Sequence, residues 1–349
     1  MIKGKRDISL DLARTIAVML IVLTHVVEAS IDPKAIIDRE FSLYKLISFS
    51  FFTISRLGVP LFLFISGQLI LNKNFHSDKS ILQFYLHNLL RIIVDAWCWI
   101  FVYHIFLTVC LGQDLGVINL LKSLFFLEEQ PLMVHMWYIP MIIGYYLIMP
   151  FLAIIAKKFS AKILLIPFIS FLVAVMVIPT IMGNITETYN SLLFVTYVIY
   201  FLLGFWSSQG KFNKIPTWLC VFASLLLLIL AIIYQLFLAP SCIWYDHPFI
   251  VFSAFFLFLL IKRTNVKDKT IFAKAIRTTS KISFQIYFLH MILILSADLL
   301  LSRIISNMYI KCAVLGVIVF VLSWITSFIF VKIKETIDKK FKVKKRDNS

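Results

Sequence analysis

The stretch DLARTIAVMLIVLTH, residues 11–25, lies inside the first long apolar run of the chain, yet it carries Asp11, Arg14 and His25. A run of this kind is typical of a helix that crosses a bilayer, which needs ~20 mostly apolar residues. An ionisable group at the centre of such a helix costs ~2.5–3.5 kcal/mol on insertion scales, so it is expected to face the interior of a helical bundle. The stretch predicts a membrane helix with a polar site on one face.

The composition of the whole chain agrees with a membrane protein. Its 349 residues are 61% hydrophobic and only 15% charged, with a mean hydropathy of +0.93, whereas soluble domains average ~25% charged residues. The apolar runs are continuous rather than alternating, which favours helices over a β-barrel. We expect an all-α protein, one membrane domain over 1–349 with a basic tail at 332–349. The predicted spans are 9–29, 47–71, 90–111, 136–156, 162–181, 189–208, 216–238, 245–261, 282–301 and 309–331.

The basic residues predict the orientation of these ten spans. If the N-terminus is cytoplasmic, 25 of the 34 Lys and Arg residues lie on the inner side and six on the outer side, as the positive-inside rule requires. Both termini are then cytoplasmic, and the protein is a multi-pass protein of the cytoplasmic membrane. The same topology accounts for the net charge of +16 through attraction to anionic lipid, so no nucleic-acid partner is predicted.

The polar residues of the first span lie on one stripe. Arg14 and His25 are eleven residues apart, which is three turns plus ~20°, so both point the same way with ~16 Å between them along the helix axis. Asp11 stands three residues before Arg14 and can pair with it. We expect Arg14 and His25 to line a hydrated passage. The structural alternative is that Arg14 snorkels, Asp11 caps the helix and His25 packs against a neighbour.

The second and third spans also carry polar or kink-forming residues. The second span contains SRLGVPLFLFISG (55–67), in which Arg56 is followed by Gly58, Pro60 and Ser66; proline and glycine inside a spanning helix predict a break. The third span has Arg91 and Asp95 at i,i+4 spacing, where they can neutralise each other.

The fourth and ninth spans carry aromatic and histidine residues. Trp137 and Tyr138 stand at the predicted outer surface, either as site residues or as ordinary aromatic-belt anchors. Tyr287 and His290 fall about midway through the ninth span, where a histidine is costly. The five cysteines show no paired spacing, so neither disulfides nor a metal site is predicted. No GxxxG pairing motif lies within an apolar span, so the sequence makes no prediction of oligomeric state.

Taken together, these stretches resemble the membrane-bound acyltransferase 3 family, the bacterial O-acyltransferases that modify surface glycans. The resemblance covers nearly the whole chain. It depends on the Arg-x10-His of Arg14 and His25, GVPLFLFISG (58–67), HMWYIPMIIGYYLIMP (135–150) and IYFLH (286–290). Family members also carry Arg-x-x-Arg at the start of the third helix, associated with acyl-coenzyme A; here Arg91 fills the second position, but Asn88 replaces the first arginine.

The resemblance implies a reaction and a set of roles. Arg14 and His25 are the essential pair, with His25 as general base on the acceptor hydroxyl or as the first acceptor of the acyl group. The other candidate residues, which support the site or line its channel, are Asp11, Arg56, Ser66, Trp137, Tyr138, Tyr287 and His290. No cofactor is bound permanently. The donor substrate is acyl-CoA, preferably acetyl-CoA, held through Arg91, and the acceptor is a glycan outside the bacterial cytoplasmic membrane. Transfer is expected to be completed by the membrane domain or by a separate partner.

Two other functions remain open at the level of sequence. The first is an exporter of a polysaccharide or small solute on the same scaffold, with Arg14 and His25 along its pathway; no inverted repeat or matched pair of broken helices favours it. The second is a structural partner of a glycan synthase. The sequence contains no GxSxG, HExxH or Walker motif, so other common enzyme classes have no support.

Overall fold

The computed structural model describes residues 6–36, 40–113, 116–127, 131–172, 197–238 and 242–347, and all regular structure within these ranges is helical. The α-helices are α1 (Ile8–Ile31), α2 (Leu43–Ser55), α3 (Gly58–Ile70), α4 (Asp78–Phe84), α5 (Leu90–Leu111), α6 (Gly116–Leu124), α7 (Tyr138–Lys158), α8 (Ala161–Leu172), α9 (Val198–Ser208), α10 (Thr217–Phe237), α11 (Pro248–Lys262), α12 (Ile271–Leu301) and α13 (Met308–Asp347). Short 3-10 turns cover Pro33–Ile36 and Pro131–Trp137, and a π-helical turn over Tyr85–Leu89 joins α4 to α5.

Seven helical segments of the described chain are long and apolar enough to cross a membrane. They correspond to the first four, the seventh, the ninth and the tenth predicted spans. Two shorter apolar helices, α9 and α11, fall in the sixth and eighth. The predicted fifth and sixth spans lie partly outside the described residues, so the total of about ten stays a prediction.

The exposure of α13 is that of a membrane helix. Its apolar part, within Met308–Thr336, has a mean hydropathy of 2.6, but only 22% of this apolar stretch is buried within the protein. Apolar surface of this extent would be unstable in water, whereas in a bilayer it contacts lipid tails at no cost. The chain is therefore a multi-pass membrane protein.

The predicted break in the second span is confirmed. Ser55 ends α2 and Gly58 begins α3, so Pro60 falls in the first turn of a helix, where its missing N–H costs no hydrogen bond. A Cβ atom at Gly58 would lie 2.9 Å from the carbonyl oxygen of Ala17. The break thus lets α1 approach the backbone of the second span closely.

The described chain forms two compact units, Met1–Gly58 with Ile261–Ser349, and Val59–Leu260. In the first unit, α1 packs against α2, α12 and α13, and α12 packs against α13. The second unit contains the helices from α3 to α11, where α5 contacts α6 and α7. The prediction of one domain over 1–349 is not tested by this division.

The first unit brings the start of α1 and the end of α13 to one side. Arg14 and His25 of α1 meet Ser280 and His290 of α12 in the same order along both helices, so α1 and α12 are parallel. Lys311 near the start of α13 pairs with Asp298 near the end of α12, so α12 and α13 are antiparallel. The start of α1 and the end of α13 therefore lie at the same end of this unit. The side of the membrane that this end faces stays a prediction.

Two glycines of the second unit let α3 and α9 cross in backbone contact. A Cβ atom at Gly67 would lie 2.1 Å from the carbonyl oxygen of Phe201, and one at Gly204 would lie 2.1 Å from that of Phe64. Because both obstacles are backbone atoms, no side-chain movement relieves the clash.

Gly67→Ala is therefore expected to destabilise the protein by at least ~1–3 kcal/mol, the cost of overpacking a tight contact. The change in stability is measured by thermal unfolding in detergent, with the loss of monodisperse protein as the readout. Gly144→Ala on α7 is the matched control, because nothing lies within 4 Å of a Cβ atom there. Equal melting temperatures for the two variants would contradict the backbone contact.

Candidate active site

The polar residues of α1 contact α12 along one line, which we call the α1–α12 seam. Arg14 Nη1 donates to Ser280 Oγ over 3.3 Å, and the ring of His25 lies 5.2 Å from that of His290. Arg14 and His25 therefore face the same neighbouring helix, as their spacing predicts. Eleven residues on α1 and ten on α12 separate the two contacts, so both helices span ~15–16 Å between them.

The first group of polar side chains, the Asp11 cluster, consists of Arg6, Asp11, Arg14 and Ser280. Arg6 donates to both carboxylate oxygens of Asp11, over 2.6 and 2.7 Å. Ser280 Oγ donates to Asp11 Oδ1 over 2.6 Å and accepts from Arg14. Asp11 is only 3% exposed, so this cluster supplies the hydrogen bonds that a buried carboxylate needs. Arg6 forms a direct ion pair with Asp11. The sequence suggests Arg14 as the partner of Asp11, and the Ser280 hydroxyl links Arg14 to the carboxylate.

The second group, the His25 cluster, consists of His25, Glu28, Arg56 and His290. His25 Nδ1 lies 2.9 Å from Glu28 Oε2, and Arg56 Nη2 donates to Glu28 Oε1 over 2.8 Å. His290 is fully buried beside the His25 ring. Glu28 thus bridges the imidazole of α1 and the guanidinium that follows α2.

The contact with Glu28 assigns a tautomer to His25. An ionised carboxylate only accepts hydrogen bonds, and the other carboxylate oxygen of Glu28 accepts from Arg56. The hydrogen of a neutral His25 ring therefore lies on Nδ1, and the lone pair lies on Nε2. A carboxylate that fixes an imidazole in this way orients a general base and stabilises the imidazolium that forms when the base takes a proton.

Arg56 has little contact with solvent or lipid. Its side chain is 2% exposed, and its guanidinium carbon lies 4.3 Å from the ring centre of Phe52. A buried charge is tolerated only where it is paired and hydrogen-bonded, so Glu28 and the aromatic face together hold the guanidinium in place. The sequence predicts Arg56 only as a supporting residue. The structure shows that its guanidinium pairs with the Glu28 carboxylate.

The remaining candidates divide between the two units. Tyr287 is 5% exposed, and its ring lies 6.0 Å from that of His290, one turn away on α12. The second unit contains the other four candidates, Ser66, Arg91, Trp137 and Tyr138. Ser66 lies half-buried on α3, one residue before the tight contact at Gly67.

Arg91 and the two aromatic residues show clear local partners. Arg91 is 74% exposed and forms a 3.8 Å ion pair with Asp95, as its spacing predicts. Trp137 ends a 3-10 turn and Tyr138 begins α7. The Trp137 ring stacks on that of Tyr245 at 5.5 Å, so it packs within an aromatic group of the second unit.

The sequence analysis did not single out Glu28 or Ser280. The sequence could have predicted Glu28 as a partner of His25. A carboxylate three residues after His25 shares its helix face, and a charge within a spanning helix is costly. The sequence could not have predicted Ser280, since a serine 266 residues from Arg14 in the chain is identified as its partner only by the packing of α12 on α1.

Comparison with known proteins decides the family. The family model described as an acyltransferase domain of the acyltransferase 3 type matches residues 7–331. The chain belongs to the acyltransferase 3 family. No curated protein and no solved structure gave a significant match. The match covers both clusters of the α1–α12 seam, apart from Arg6, and makes the protein a membrane acyltransferase.

The pairing of Glu28 with Arg56 in this acyltransferase predicts a coupled effect on stability. Arg56→Met leaves the Glu28 carboxylate without its cation. Because Glu28 is 31% exposed, water screens part of the loss, and we expect ~1–3 kcal/mol rather than the ~3–5 kcal/mol typical of fully buried pairs.

Adding Glu28→Gln to Arg56→Met removes the charge that has lost its arginine partner and is expected to recover part of this loss. Thermal unfolding of the wild type, both single variants and the double variant in detergent gives the coupling energy, which should be at least ~0.5 kcal/mol. Strictly additive single effects would show that the two side chains do not interact.

Proposed function

We propose that this protein moves an acyl group, preferably acetyl, from cytoplasmic acyl-CoA to a hydroxyl group of a cell-surface glycan on the other side of the bacterial cytoplasmic membrane. The observation that supports the proposal is the His25 cluster of this acyltransferase, in which Glu28 Oε2 lies 2.9 Å from Nδ1 of His25, the residue to which we assign the role of general base. The charge asymmetry of the loops supports a cytoplasmic position for both termini, and hence for the donor.

The chemistry requires one proton transfer in each direction. His25 Nε2 takes the proton of the acceptor hydroxyl as its oxygen attacks the thioester carbonyl. When the tetrahedral intermediate collapses, the carbon–sulfur bond breaks and the thiolate of coenzyme A leaves. The imidazolium returns the proton to that sulfur, so the enzyme ends the cycle unchanged. Glu28 stabilises the imidazolium between these two steps, and Arg56 holds the Glu28 carboxylate in position.

Arg14 serves the donor rather than the reacting carbonyl. It lies ~16 Å below His25 along α1, too far to stabilise an oxyanion at the same centre. A guanidinium at this depth can hold a negative group or a carbonyl of the donor while the thioester extends towards His25. The nucleotide of the coenzyme then stays at the cytoplasmic face, and only its arm enters the membrane.

His25→Ala is expected to lower acyl transfer by ~10²–10⁴-fold, because a positioned base typically contributes this much. The assay uses inside-out membrane vesicles that carry the acceptor glycan, supplied with radiolabelled acetyl-CoA. His76→Ala is the matched control, since His76 is exposed in the segment between α3 and α4 and has no part in the proposed reaction. Wild-type turnover by well-expressed His25→Ala protein would remove His25 from the mechanism.

Arg14→Lys keeps the charge but loses the planar guanidinium fork. We expect a higher KM for acetyl-CoA with a smaller change in kcat, because the residue is assigned to donor positioning. Steady-state kinetics in the same vesicles separate the two parameters. An unchanged KM with a large loss of kcat would instead place Arg14 at the reacting centre.

The same vesicles distinguish an enzyme from an exporter. Label that appears as acetyl esters on the glycan, and disappears with His25→Ala, supports acyl transfer. Movement of unmodified glycan or solute without esterification would support export and contradict the proposal. A surface glycan that is unchanged when Arg14 and His25 are both replaced would indicate a purely structural role.

A further inference from the structure

The second unit contains a group of four aromatic rings, Trp137, Tyr197, Trp244 and Tyr245, which we call the Trp137 platform. The Trp137 ring stacks on that of Tyr245 with 5.5 Å between centres, and it lies 5.4 Å from the ring of Trp244 and 6.5 Å from that of Tyr197. Trp244 is 40% exposed and Trp137 is half-buried, whereas both tyrosines are buried. The two tryptophans therefore form the accessible part of the platform.

The loop that carries Trp244 is fixed by hydrogen bonds on both sides of this residue. Gln235 Oε1 of α10 accepts from the backbone N–H of Ile243, and Tyr200 Oη of α9 donates to the carbonyl oxygen of Tyr245. Both of these side chains are buried. The indole of Trp244 is thus held in position before a ligand arrives, so little conformational entropy is lost when one binds.

A buried carboxylate lies beside the platform. Asp246 is 6% exposed, and its charge acts on the hydroxyl group of Tyr197. Within the described part of the chain, the carboxylate accepts a hydrogen bond from its own backbone N–H and no cation pairs with it. The N-terminus of α11, which begins at Pro248, offsets part of the cost of burial. A carboxylate has four acceptor positions, so Asp246 can bind several hydroxyl groups of a ligand.

The sequence leaves open whether Trp137 belongs to a site or to an aromatic belt that anchors the protein among lipid headgroups. Anchoring requires neither a loop fixed on both sides of Trp244 nor a buried carboxylate, which is costly beside lipid. Trp218 is suited to anchoring alone, since it is 68% exposed in the first turn of α10, a helix length away from Trp244. The belt therefore accounts for the rings of the platform but not for Asp246.

Stacked indole rings next to a carboxylate match the chemistry of a sugar. The C–H groups on one face of a pyranose carry a slight positive charge and pack on the negative face of an aromatic ring. The hydroxyl groups at its edge donate to carboxylates in charge-assisted hydrogen bonds. Trp and Tyr supply this contact area at low entropic cost. The predicted outer position of Trp137 is on the side of the membrane where the proposed acceptor lies.

We propose that the Trp137 platform and Asp246 form a subsite for a sugar ring of the acceptor glycan. Trp244 stacks on the C–H face of the sugar, and Asp246 accepts from its hydroxyl groups. This inference depends on the proposed function, in which a glycan is the acceptor, and it adds the residues that hold that glycan. The subsite positions the acceptor and takes no part in the bond-making step.

The test measures acceptor binding without the donor. Full-length protein in phosphatidylcholine nanodiscs is titrated with oligosaccharides released by mild acid from the surface glycan of cells that make only His25→Ala protein. Saturation-transfer NMR gives the affinity. The probe variants are Trp244→Leu, which removes the ring, Trp244→Phe, which keeps a smaller one, and Asp246→Asn. The matched control is Trp218→Leu, which removes an exposed indole far from the platform.

We expect Trp244→Leu and Asp246→Asn each to weaken oligosaccharide binding about tenfold, with a smaller loss for Trp244→Phe and none for the control. Asp246→Asn should not lower the melting temperature in detergent, because it removes a buried charge that no described cation pairs. A lower melting temperature for this variant with unchanged affinity would show a structural carboxylate. Equal affinity of Trp244→Leu and Trp218→Leu would overturn the subsite.

Kinetics separate the subsite from the proposed reaction. With labelled acetyl-CoA, Trp244→Leu should raise the KM for the oligosaccharide and leave kcat and the KM for acetyl-CoA nearly unchanged. His25-dependent transfer with an unchanged oligosaccharide KM would overturn the subsite and leave the reaction intact. Oligosaccharide binding that depends on Trp244, without any transfer of label, would contradict the reaction and leave the subsite intact. If the wild type binds no oligosaccharide and both tryptophan variants lower membrane insertion alike, the platform is an aromatic belt.

Discussion

The organising constraint of this protein is the cost of placing charge inside a bilayer. Asp11, Arg14 and Glu28 stand with His25 on a single spanning helix, and none of them is stable there without a partner. Arg6 and Ser280 bind the lower carboxylate, and Arg56 binds the upper one. The contacts of α1 with α2 and α12 therefore supply what the polar residues of α1 require, and the same contacts build the candidate active site.

The break between α2 and α3 illustrates this dependence. If the second span were one regular helix, Arg56 would lie in its middle, and nothing in the helix itself would direct its guanidinium towards the end of α1. The helix instead stops at Ser55, and Gly58 admits the backbone of α1 at Ala17. The guanidinium then reaches Glu28, which lies in the last two turns of α1. The break in the second span thus brings a cation to the carboxylate that contacts His25, the base of the proposed reaction.

In the proposed reaction, the two clusters have different roles. The Asp11 cluster contains the guanidinium groups of Arg6 and Arg14, and Arg14 positions the donor. The His25 cluster contains one carboxylate, one guanidinium and two imidazoles, which suits proton transfer. In the same proposal, the separation of ~15–16 Å along two parallel helices keeps the charged nucleotide of the donor away from the reacting thioester. A single α-helical seam is long enough to serve both ends.

The sequence by itself determined the membrane class, most of the described spans, the break near Gly58 and the shared face of Arg14 and His25. These are local properties, because apolar length, proline chemistry and the 3.6-residue period act within one helix. Only the tertiary structure decided that Ser280 and His290 lie opposite Arg14 and His25, and that Glu28 bridges His25 to Arg56. Those contacts join segments up to hundreds of residues apart, and their geometry depends on how whole helices pack rather than on any spacing along the chain.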